Sequence, residues 1–364
     1  MQAITNEQVR DALSNVLDPD LQQDLITLNM VENIQVEGKK VAFTVVLTTP
    51  ACPMKEQIYN ACKNAILHFV DKDAEVDITM TAQVRNQTSQ QNNTLSKVKN
   101  IIAIASGKGG VGKSTVTANI AVALANLGAK VGIVDADIYG PSIPILFDVE
   151  NEKPEVKEID GKSYILPVEN YGVKILSIGF FVQDTNQAIV WRGPMASKAL
   201  QQLFFDAYWG ELDYLLIDLP PGTGDIHLSL VSGFGLNGVV IVSTPQKVAL
   251  ADARKGIGMF RMPQINIPIL GIIENMSYFT PAELPANKYY IFGKDGAKQL
   301  AEELAIPLLG EIPLVQSLRE SCDIGRPAAL QENTLLAKAF EQVAMKVAQQ
   351  IVLLPSKKVE PITK

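Results

Sequence analysis

The chain has 364 residues, of which 47% are hydrophobic and 20% charged, and its formal net charge is −7. This composition indicates a soluble globular protein long enough for two domains, and the acidic balance argues against an extended basic surface for nucleic acid. No apolar run in the sequence approaches the ~20 residues of a membrane span, and three cysteines without pairing logic fit a reducing compartment, so we expect a cytoplasmic protein with no nucleic-acid or membrane partner.

Residues 1–82 predict a small α+β domain. Apolar residues at helical spacing follow Asn6, and Pro53 suits the first position of a second helix. The apolar face of that second helix contains Ile58, Cys62, Ala65, Ile66 and Phe69. Alternating runs predict strands at 31–36, 41–48 and 77–80.

A polar segment follows this domain. Residues 83–98 are rich in Gln, Asn, Ser and Thr and contain few apolar side chains, which is typical of a flexible linker. We expect residues 99–355 to form the second domain and residues 356–364 to form a short tail.

Beyond the linker, apolar strand-like runs alternate with helical patterns. Strands are predicted at 101–105, 131–135, 173–178, 214–219, 239–244, 270–274 and 308–313. Helices are predicted near 115–127, 195–208, 247–262, 294–304 and 335–351. This alternation predicts an α/β domain with a mostly parallel sheet flanked by helices.

A glycine-rich loop between the first of these strands and the first helix indicates the chemistry. Gly107, Gly112, Lys113 and Ser114 satisfy the G-x-x-x-x-G-K-[ST] pattern of a P-loop NTPase. The glycines let backbone N–H groups converge on phosphate oxygens at a helix N-terminus, Lys113 would hold the β/γ-phosphates, and the Ser114 hydroxyl would bind Mg²⁺. The residues expected to contact the nucleotide are Gly107, Lys108, Gly109, Gly110, Val111, Gly112, Lys113, Ser114 and Thr115.

Two further strands end in carboxylates, which lie at the same edge of a parallel sheet as the loop. Asp137 follows the second strand and is a candidate for orienting water, while Asp135 is a candidate for Mg²⁺ or for a supporting role. Asp218 ends an apolar run, the position of a Walker B carboxylate that reaches Mg²⁺ through water. Ordinary turn chemistry before Gly140 is the alternative explanation for Asp137.

The chain resembles the Mrp/ApbC family of iron–sulfur cluster carrier ATPases, in the deviant-Walker-A group with MinD, ParA and the nitrogenase iron protein. The resemblance covers residues 99–350. The motifs that carry it are Lys108 with Lys113, DADIYGPS at 135–142, VWRGPM at 190–195, DLPPGTGD at 218–225 and ENMSYF at 274–279. Residues 1–82, with Asp18-Pro19-Asp20 and TTPACP at 48–53, resemble the small metal–sulfur cluster assembly domain often fused to such ATPases.

The resemblance implies ATP binding, slow ATP hydrolysis and transfer of iron–sulfur clusters by a homodimer. ATP and Mg²⁺ would be the cofactors, and iron–sulfur apoproteins and the assembly machinery the partners. The resemblance also implies that Lys108 reaches across the dimer interface to the partner's phosphates and that Asn275 contacts adenine, although a turn residue is the alternative explanation for Asn275. The catalytic candidates are then Lys108, Lys113, Asp137 and Asp218.

The chain departs from the family pattern at the cluster site. Members of the family commonly carry Cys-x-x-Cys a few residues beyond the Asn-Met-Ser-Tyr-Phe motif, so that two protomers supply four thiolates to a bridging [4Fe–4S] cluster. Residues 280–292 contain no cysteine here. Cys62 is predicted to be a core residue, and Cys322 to lie in a polar loop. Cys52 matches the assembly-domain motif and would be the N-cap of the second helix, where the helix dipole favours a thiolate, so it is the candidate iron–sulfur ligand, with a plain helix cap as the alternative.

A positioning ATPase of the MinD/ParA type, acting on a membrane or the nucleoid, is the alternative function. The net charge argues against DNA. The apolar face of the last helix is expected to pack on the chain's own sheet rather than on lipid, and it contains Leu336, Phe340, Val343, Val347 and Ile351. A nitrogenase-type reductase is disfavoured because its paired cluster cysteines are missing.

Overall fold

The computed structural model describes residues 4–84, 94–138, 140–159, 161–181, 193–223, 234–281, 283–284 and 286–355, with only the backbone of residues 193–197. Most of the predicted linker, the predicted tail, residues 190–192 of the VWRGPM motif and residues 224–225 of the DLPPGTGD motif lie outside these ranges. Contacts divide the chain into two compact units, the smaller of which comprises Met1–Arg85 together with Val352–Pro355. The exact domain boundaries stay a prediction.

The smaller unit combines two helices with a three-stranded sheet. Its elements are α1 (Asn6–Leu13), β1 (Val31–Glu37), β2 (Lys40–Leu47), α2 (Lys55–Phe69) and β3 (Glu75–Ala82). β2 is the central strand, antiparallel to β1 and parallel to β3. Apolar side chains from the helices and the sheet form one core, which includes Leu13, Phe43 and Ile58.

The second helix of this unit differs from the prediction in two respects. α2 begins at Lys55 rather than at Pro53, because a turn precedes it in which the Lys55 N–H donates to the Cys52 carbonyl at 3.4 Å. Phe69, predicted on the apolar face, is 58% exposed at the last position of the helix. The other four residues of that face are buried, as predicted.

The larger unit is built around an eight-stranded sheet. The strands of this unit are β4 (Val98–Ala105), β5 (Val131–Asp135), β6 (Val156–Ile159), β7 (Lys162–Ile165), β8 (Val168–Asn170), β9 (Val173–Ser177), β10 (Leu212–Asp218), β11 (Gly238–Ser243), β12 (Ile269–Phe279) and β13 (Leu308–Leu314). All but β6 and β7, which form a separate two-stranded sheet, belong to the large sheet. Its helices are α3 (Lys113–Asn126), α4 (Ile143–Leu146), α5 (Gly193–Phe205), α6 (Lys247–Phe260), α7 (Gly296–Leu304), α8 (Gln316–Asp323) and α9 (Leu335–Leu353).

The order of strands in the large sheet is β13-β12-β11-β4-β10-β5-β9-β8, and only the β8–β9 pair is antiparallel. The predicted α/β domain with a mostly parallel sheet flanked by helices is confirmed, and all seven predicted strands belong to this sheet. β8 and the separate β6–β7 hairpin were not predicted, because none of the residues in these short strands is buried, so there is no buried face to produce an apolar pattern.

The last helix packs within the larger unit. Its predicted apolar face is buried, and a side chain added at Gly310 of β13 would overlap Val343 of α9, so helix and strand are in close contact. In the described residues, no helix is long and apolar enough to cross a membrane.

Candidate functional site

The glycine-rich loop joins the middle of the large sheet to α3. β4 lies between β11 and β10, and α3 begins at Lys113 with Gly112 as its N-cap. Gly112 has a φ of 81°, and a side chain there would overlap the Asn275 amide, so both the backbone and the available space require glycine. A side chain at Gly107 would overlap the backbone of Asp252 in α6. The loop therefore passes between two neighbouring elements where only glycine fits.

Asp218 is the centre of a buried polar network under this loop. It ends β10, between β4 and β5, and its side chain is fully buried. Its Oδ2 lies 2.7 Å from Lys113 Nζ and accepts the Ser114 hydroxyl at 2.5 Å, while its Oδ1 accepts the Thr117 hydroxyl at 2.7 Å. Both carboxylate oxygens have strong donors, which offsets the cost of burying a charge.

Asp137 and Asp135 follow β5 but have different surroundings. Asp137 Oδ2 lies 3.9 Å from Lys113 Nζ, and its side chain is 13% exposed. Asp135 is fully buried: its Oδ1 accepts the Asp137 N–H at 3.2 Å, and its Oδ2 accepts the Ser177 hydroxyl at 3.0 Å and the first N–H of α4 at 3.2 Å. Burial, with the charge of Asp218, raises the pKa of Asp135 above its ordinary value. This geometry favours a supporting role for Asp135, which holds the segment that carries Asp137.

A cavity of about 240 Å³ lies over the loop. It is lined by Ser106, Lys108, Gly109, Gly110, Val111, Gly112, Lys113, Ser114, Thr115, Asp137, Ser142, Leu146 and Pro221. Backbone donors, an ammonium group, a hydroxyl and a carboxylate are the groups that a phosphate chain with Mg²⁺ requires. Since pockets for whole ligands measure roughly 300–1,000 Å³, this cavity suits the phosphate end of a nucleotide.

The two lysines of the loop have different environments. Lys113 is 6% exposed and compensates the buried carboxylates. Lys108 is on the surface, and its carbonyl accepts the Ser106 hydroxyl at 3.0 Å, which restrains the loop backbone. An exposed ammonium beside the cavity is available to a second molecule, and the role of Lys108 across a dimer interface stays a prediction.

Asn275 lies inside β12 rather than after a strand, because β12 continues to Phe279. Its side chain is 3% exposed, and its Nδ2 donates to the Val111 carbonyl at 2.9 Å. Its Oδ1 is buried and has no hydrogen-bond partner among the described residues. The amide therefore supports the phosphate loop directly, and its predicted contact with adenine stays a prediction.

The three cysteines lie in different places. Met54, not Cys52, is the N-cap of α2, so the prediction that the helix dipole favours a Cys52 thiolate is wrong; Cys52 is 8% exposed and its burial raises its pKa. Cys62 is a core residue, as predicted, and burial raises its pKa to about 12. Cys322 lies in α8 rather than in a loop, with its Sγ 3.7 Å from Thr115 Oγ1. Within the part of the chain that the structure describes, no group of three or more His, Cys, Asp or Glu side chains could hold a metal ion.

The residues that hold this site in place were not predicted from the sequence. Thr117 follows Lys113 by one helical turn, and that spacing could have identified it as a second hydroxyl on the same helix face. Ser177 makes its contact with Asp135, which is distant along the chain, and no local pattern indicates it.

Similarity to known proteins extends over nearly the whole chain. The family model described as ParA, NUBPL iron-transfer P-loop NTPase, matches residues 97–348, and the model described as iron–sulfur cluster assembly protein matches residues 6–82. An iron–sulfur cluster carrier protein of Synechocystis is 44% identical over 352 residues, covering 96% of this chain and 98% of the relative. One from Escherichia coli is 41% identical over 349 residues, covering 94% and 91%.

A solved structure of a nucleotide-binding protein is also similar to this chain in fold and sequence. The ADP complex of a nucleotide-binding protein from Archaeoglobus fulgidus matches with a TM-score of 0.55 at 42% identity, covering 64% of this chain and 89% of that protein. The predicted P-loop NTPase fold is therefore confirmed. Because the NUBPL model covers more than half of the chain and close relatives span almost all of it, the chain belongs to the family of iron–sulfur cluster carrier P-loop NTPases.

Proposed function

We propose that this chain binds and slowly hydrolyses MgATP at the glycine-rich loop, and that as a homodimer it uses this turnover to transfer iron–sulfur clusters to apoproteins. The observation that supports nucleotide chemistry is the buried carboxylate of Asp218, which is bound at once by Lys113, Ser114 and Thr117 beneath the loop. Membership of the iron–sulfur cluster carrier family supports the proposal that the transferred group is an iron–sulfur cluster.

Each residue of the network has a physical task in this proposal. The loop N–H groups and Lys113 bind the phosphate oxygens, and Ser114 and Asp218 are the groups that would hold Mg²⁺. When bound, Mg²⁺ supplies positive charge that stabilises the negative charge of the phosphates. Asp137 orients the attacking water, and its position is maintained by the bond from its N–H to Asp135.

Asp218→Asn tests the nucleotide site. The amide keeps the shape of the side chain but removes the charge that balances Lys113 and attracts Mg²⁺, so we expect ATP hydrolysis to fall by about 100-fold or more. Phosphate release should be measured over a range of Mg²⁺ concentrations, where the half-saturating concentration should rise. Asp252→Asn is the matched control, since Asp252 is a carboxylate of α6 that pairs with Lys255 at the surface. An unchanged rate in Asp218→Asn would contradict the assignment.

The cysteines of a single chain do not form the ligand set of a [4Fe–4S] cluster. Four thiolates are needed, whereas the chain has three cysteines. Cys62 is fully buried inside α2, and Cys322 lies in α8 beside the nucleotide loop, with its Sγ 3.7 Å from Thr115 Oγ1. Cys52 stays the proposed ligand, because it lies outside the helix, in the turn that precedes α2.

Anaerobic reconstitution with iron and sulfide tests this ligand. We expect the parent dimer to retain iron after desalting and Cys52→Ala to retain clearly less, with Cys62→Ala as the matched control at the parent level. Iron and sulfide should be counted per dimer, and transfer to an apo-ferredoxin followed by its absorption spectrum. Equal iron content and equal transfer in Cys52→Ala and the parent would show that Cys52 is not a ligand.

A MinD/ParA-type positioning function gains no support from the described residues. The apolar face of α9, which was the one candidate for membrane binding in the sequence, is buried within the protein.

A further inference from the structure

Glu274 is a buried carboxylate to which the proposed hydrolysis gives no task. It lies in β12, directly before Asn275, and is fully buried. Its Oε2 accepts the N–H of Ala297, in the first turn of α7, at 2.6 Å, and its Oε1 accepts the Ser277 hydroxyl at 2.6 Å. A carboxylate in such a place has to be stabilised by its hydrogen bonds. The bond from Ala297 connects β12 to α7, and the bond from Ser277 lies within β12.

β12 is bent at Met276, which lies between Glu274 and Ser277 in the strand. Met276 has a φ of 54°, a left-handed conformation that costs free energy for any residue other than glycine. The pairing of β12 with β13 also shifts its register between Asn275 and Phe279. Because the bond from Ser277 to Glu274 spans Met276, it holds the bend closed.

The bend determines where the Asn275 amide lies. That amide makes a single hydrogen bond among the described residues, from Nδ2 to the Val111 carbonyl, and a side chain at Gly112 would overlap it. A side chain with one hydrogen bond of its own depends on its backbone for its position. The backbone of Asn275 is paired with Ile312 of β13 and directly follows Glu274, whose carboxylate is bonded on both sides of this segment to Ala297 and Ser277.

We propose that Glu274 is a positioning residue of the nucleotide site: by tying the bent end of β12 to α7, it holds the Asn275 amide against Val111 and Gly112 and so keeps the phosphate loop in its binding conformation. This inference rests on the proposed binding of ATP at that loop. It assigns to Glu274 an effect on nucleotide affinity, which a residue that only stabilised α7 would not have.

A double-mutant cycle with MgATP tests the inference. Affinity for MgATP should be measured by calorimetry for the parent, Glu274→Ala, Asn275→Ala and the double variant, with melting temperatures on the same samples. We expect each single substitution to weaken binding by about tenfold, and the double variant to bind like Asn275→Ala alone, since Glu274 acts through Asn275. Glu274→Gln should restore parent affinity, because its carbonyl can accept from Ala297 while its amide donates to Ser277.

Glu311→Ala is the matched control. The backbone of Glu311 in β13 is the register partner of Glu274 in β12, but the Glu311 side chain is exposed. Its substitution should leave the affinity for MgATP unchanged. A Glu274→Ala variant with a lower melting temperature but parent affinity would overturn the inference, as would a double variant whose loss is the sum of the two single losses. Failure of the proposed function gives a different result. If the parent itself binds no MgATP and behaves like Lys113→Ala, both the proposed nucleotide binding and the positioning role of Glu274 are overturned.

Discussion

Lys113→Ala is expected to abolish ATP hydrolysis while the chain remains folded. Lys113 Nζ lies 2.7 Å from Asp218 Oδ2 and 3.9 Å from Asp137 Oδ2, so it is the cation that the phosphate chain would meet beneath the loop. Loss of a charged group aimed at transferring phosphates costs on the order of 10²–10³ or more in rate. Alanine is a good helix former at the start of α3, and Ser114 and Thr117 still donate to Asp218, so we expect the fold to persist.

The measurement is steady-state phosphate release, with circular dichroism and thermal melting to establish folding. Lys130→Ala is the matched control, because Lys130 is an exposed lysine whose ammonium pairs with Glu211 on the surface. Lys113→Gln is a second variant that keeps most of the side-chain volume and removes only the charge. Turnover at the parent level in either Lys113 variant would show that the loop is not the site of hydrolysis.

The parts of this site that the sequence predicts are those whose chemistry is local. The loop from Gly107 to Ser114 occupies eight consecutive positions, and Asp218 is recognisable because it directly ends an apolar strand. A parallel sheet then brings the ends of β4, β5 and β10 to one edge, so the neighbourhood of Asp137 and Asp218 follows from the alternation of strands and helices.

The parts that the sequence does not predict depend on contacts between distant residues. The sequence leaves Asp135 open between an Mg²⁺ ligand and a supporting role, because its contact with Ser177 joins two strands that are far apart along the chain. The sequence predicts that the strand ends before Asn275, whereas β12 continues through Met276, which has a φ of 54°, to Phe279. The predicted N-cap at Cys52 is wrong because proline at the first helical position is only a preference. Here a turn precedes the helix, and α2 begins two residues after Pro53.

Lys108→Ala is expected to remove ATP hydrolysis but to preserve ATP binding. Lys108 is exposed at the loop, whereas the network that binds the phosphates is organised around Lys113 and Asp218. If Lys108 acts on the nucleotide of the partner, its loss leaves each protomer's own binding groups intact and removes one cation from the opposite site. We expect an affinity for MgATP close to that of the parent and a rate reduced by about 100-fold or more.

Mixing two inactive variants distinguishes a lysine that acts across the interface from one that acts in its own site. In a dimer of one Lys108→Ala chain and one Lys113→Ala chain, the first chain keeps its own Lys113 and receives Lys108 from its partner. One of the two sites is then complete. Random association makes half of the dimers mixed, so we expect the mixture to hydrolyse ATP at about a quarter of the parent rate.

The matched control mixes the parent with a chain that carries both substitutions. If Lys108 acts across the interface, a mixed dimer of this kind has no complete site, because the chain with an intact Lys113 lacks the partner's lysine. Activity then comes from parent dimers alone, at about a quarter of the rate of an equal total amount of parent. If Lys108 acts in its own site, every parent chain stays active and the rate is about half. Lys108 and Lys113 lie on the same chain in both cases, so the exchange of partners shows to which nucleotide each lysine belongs.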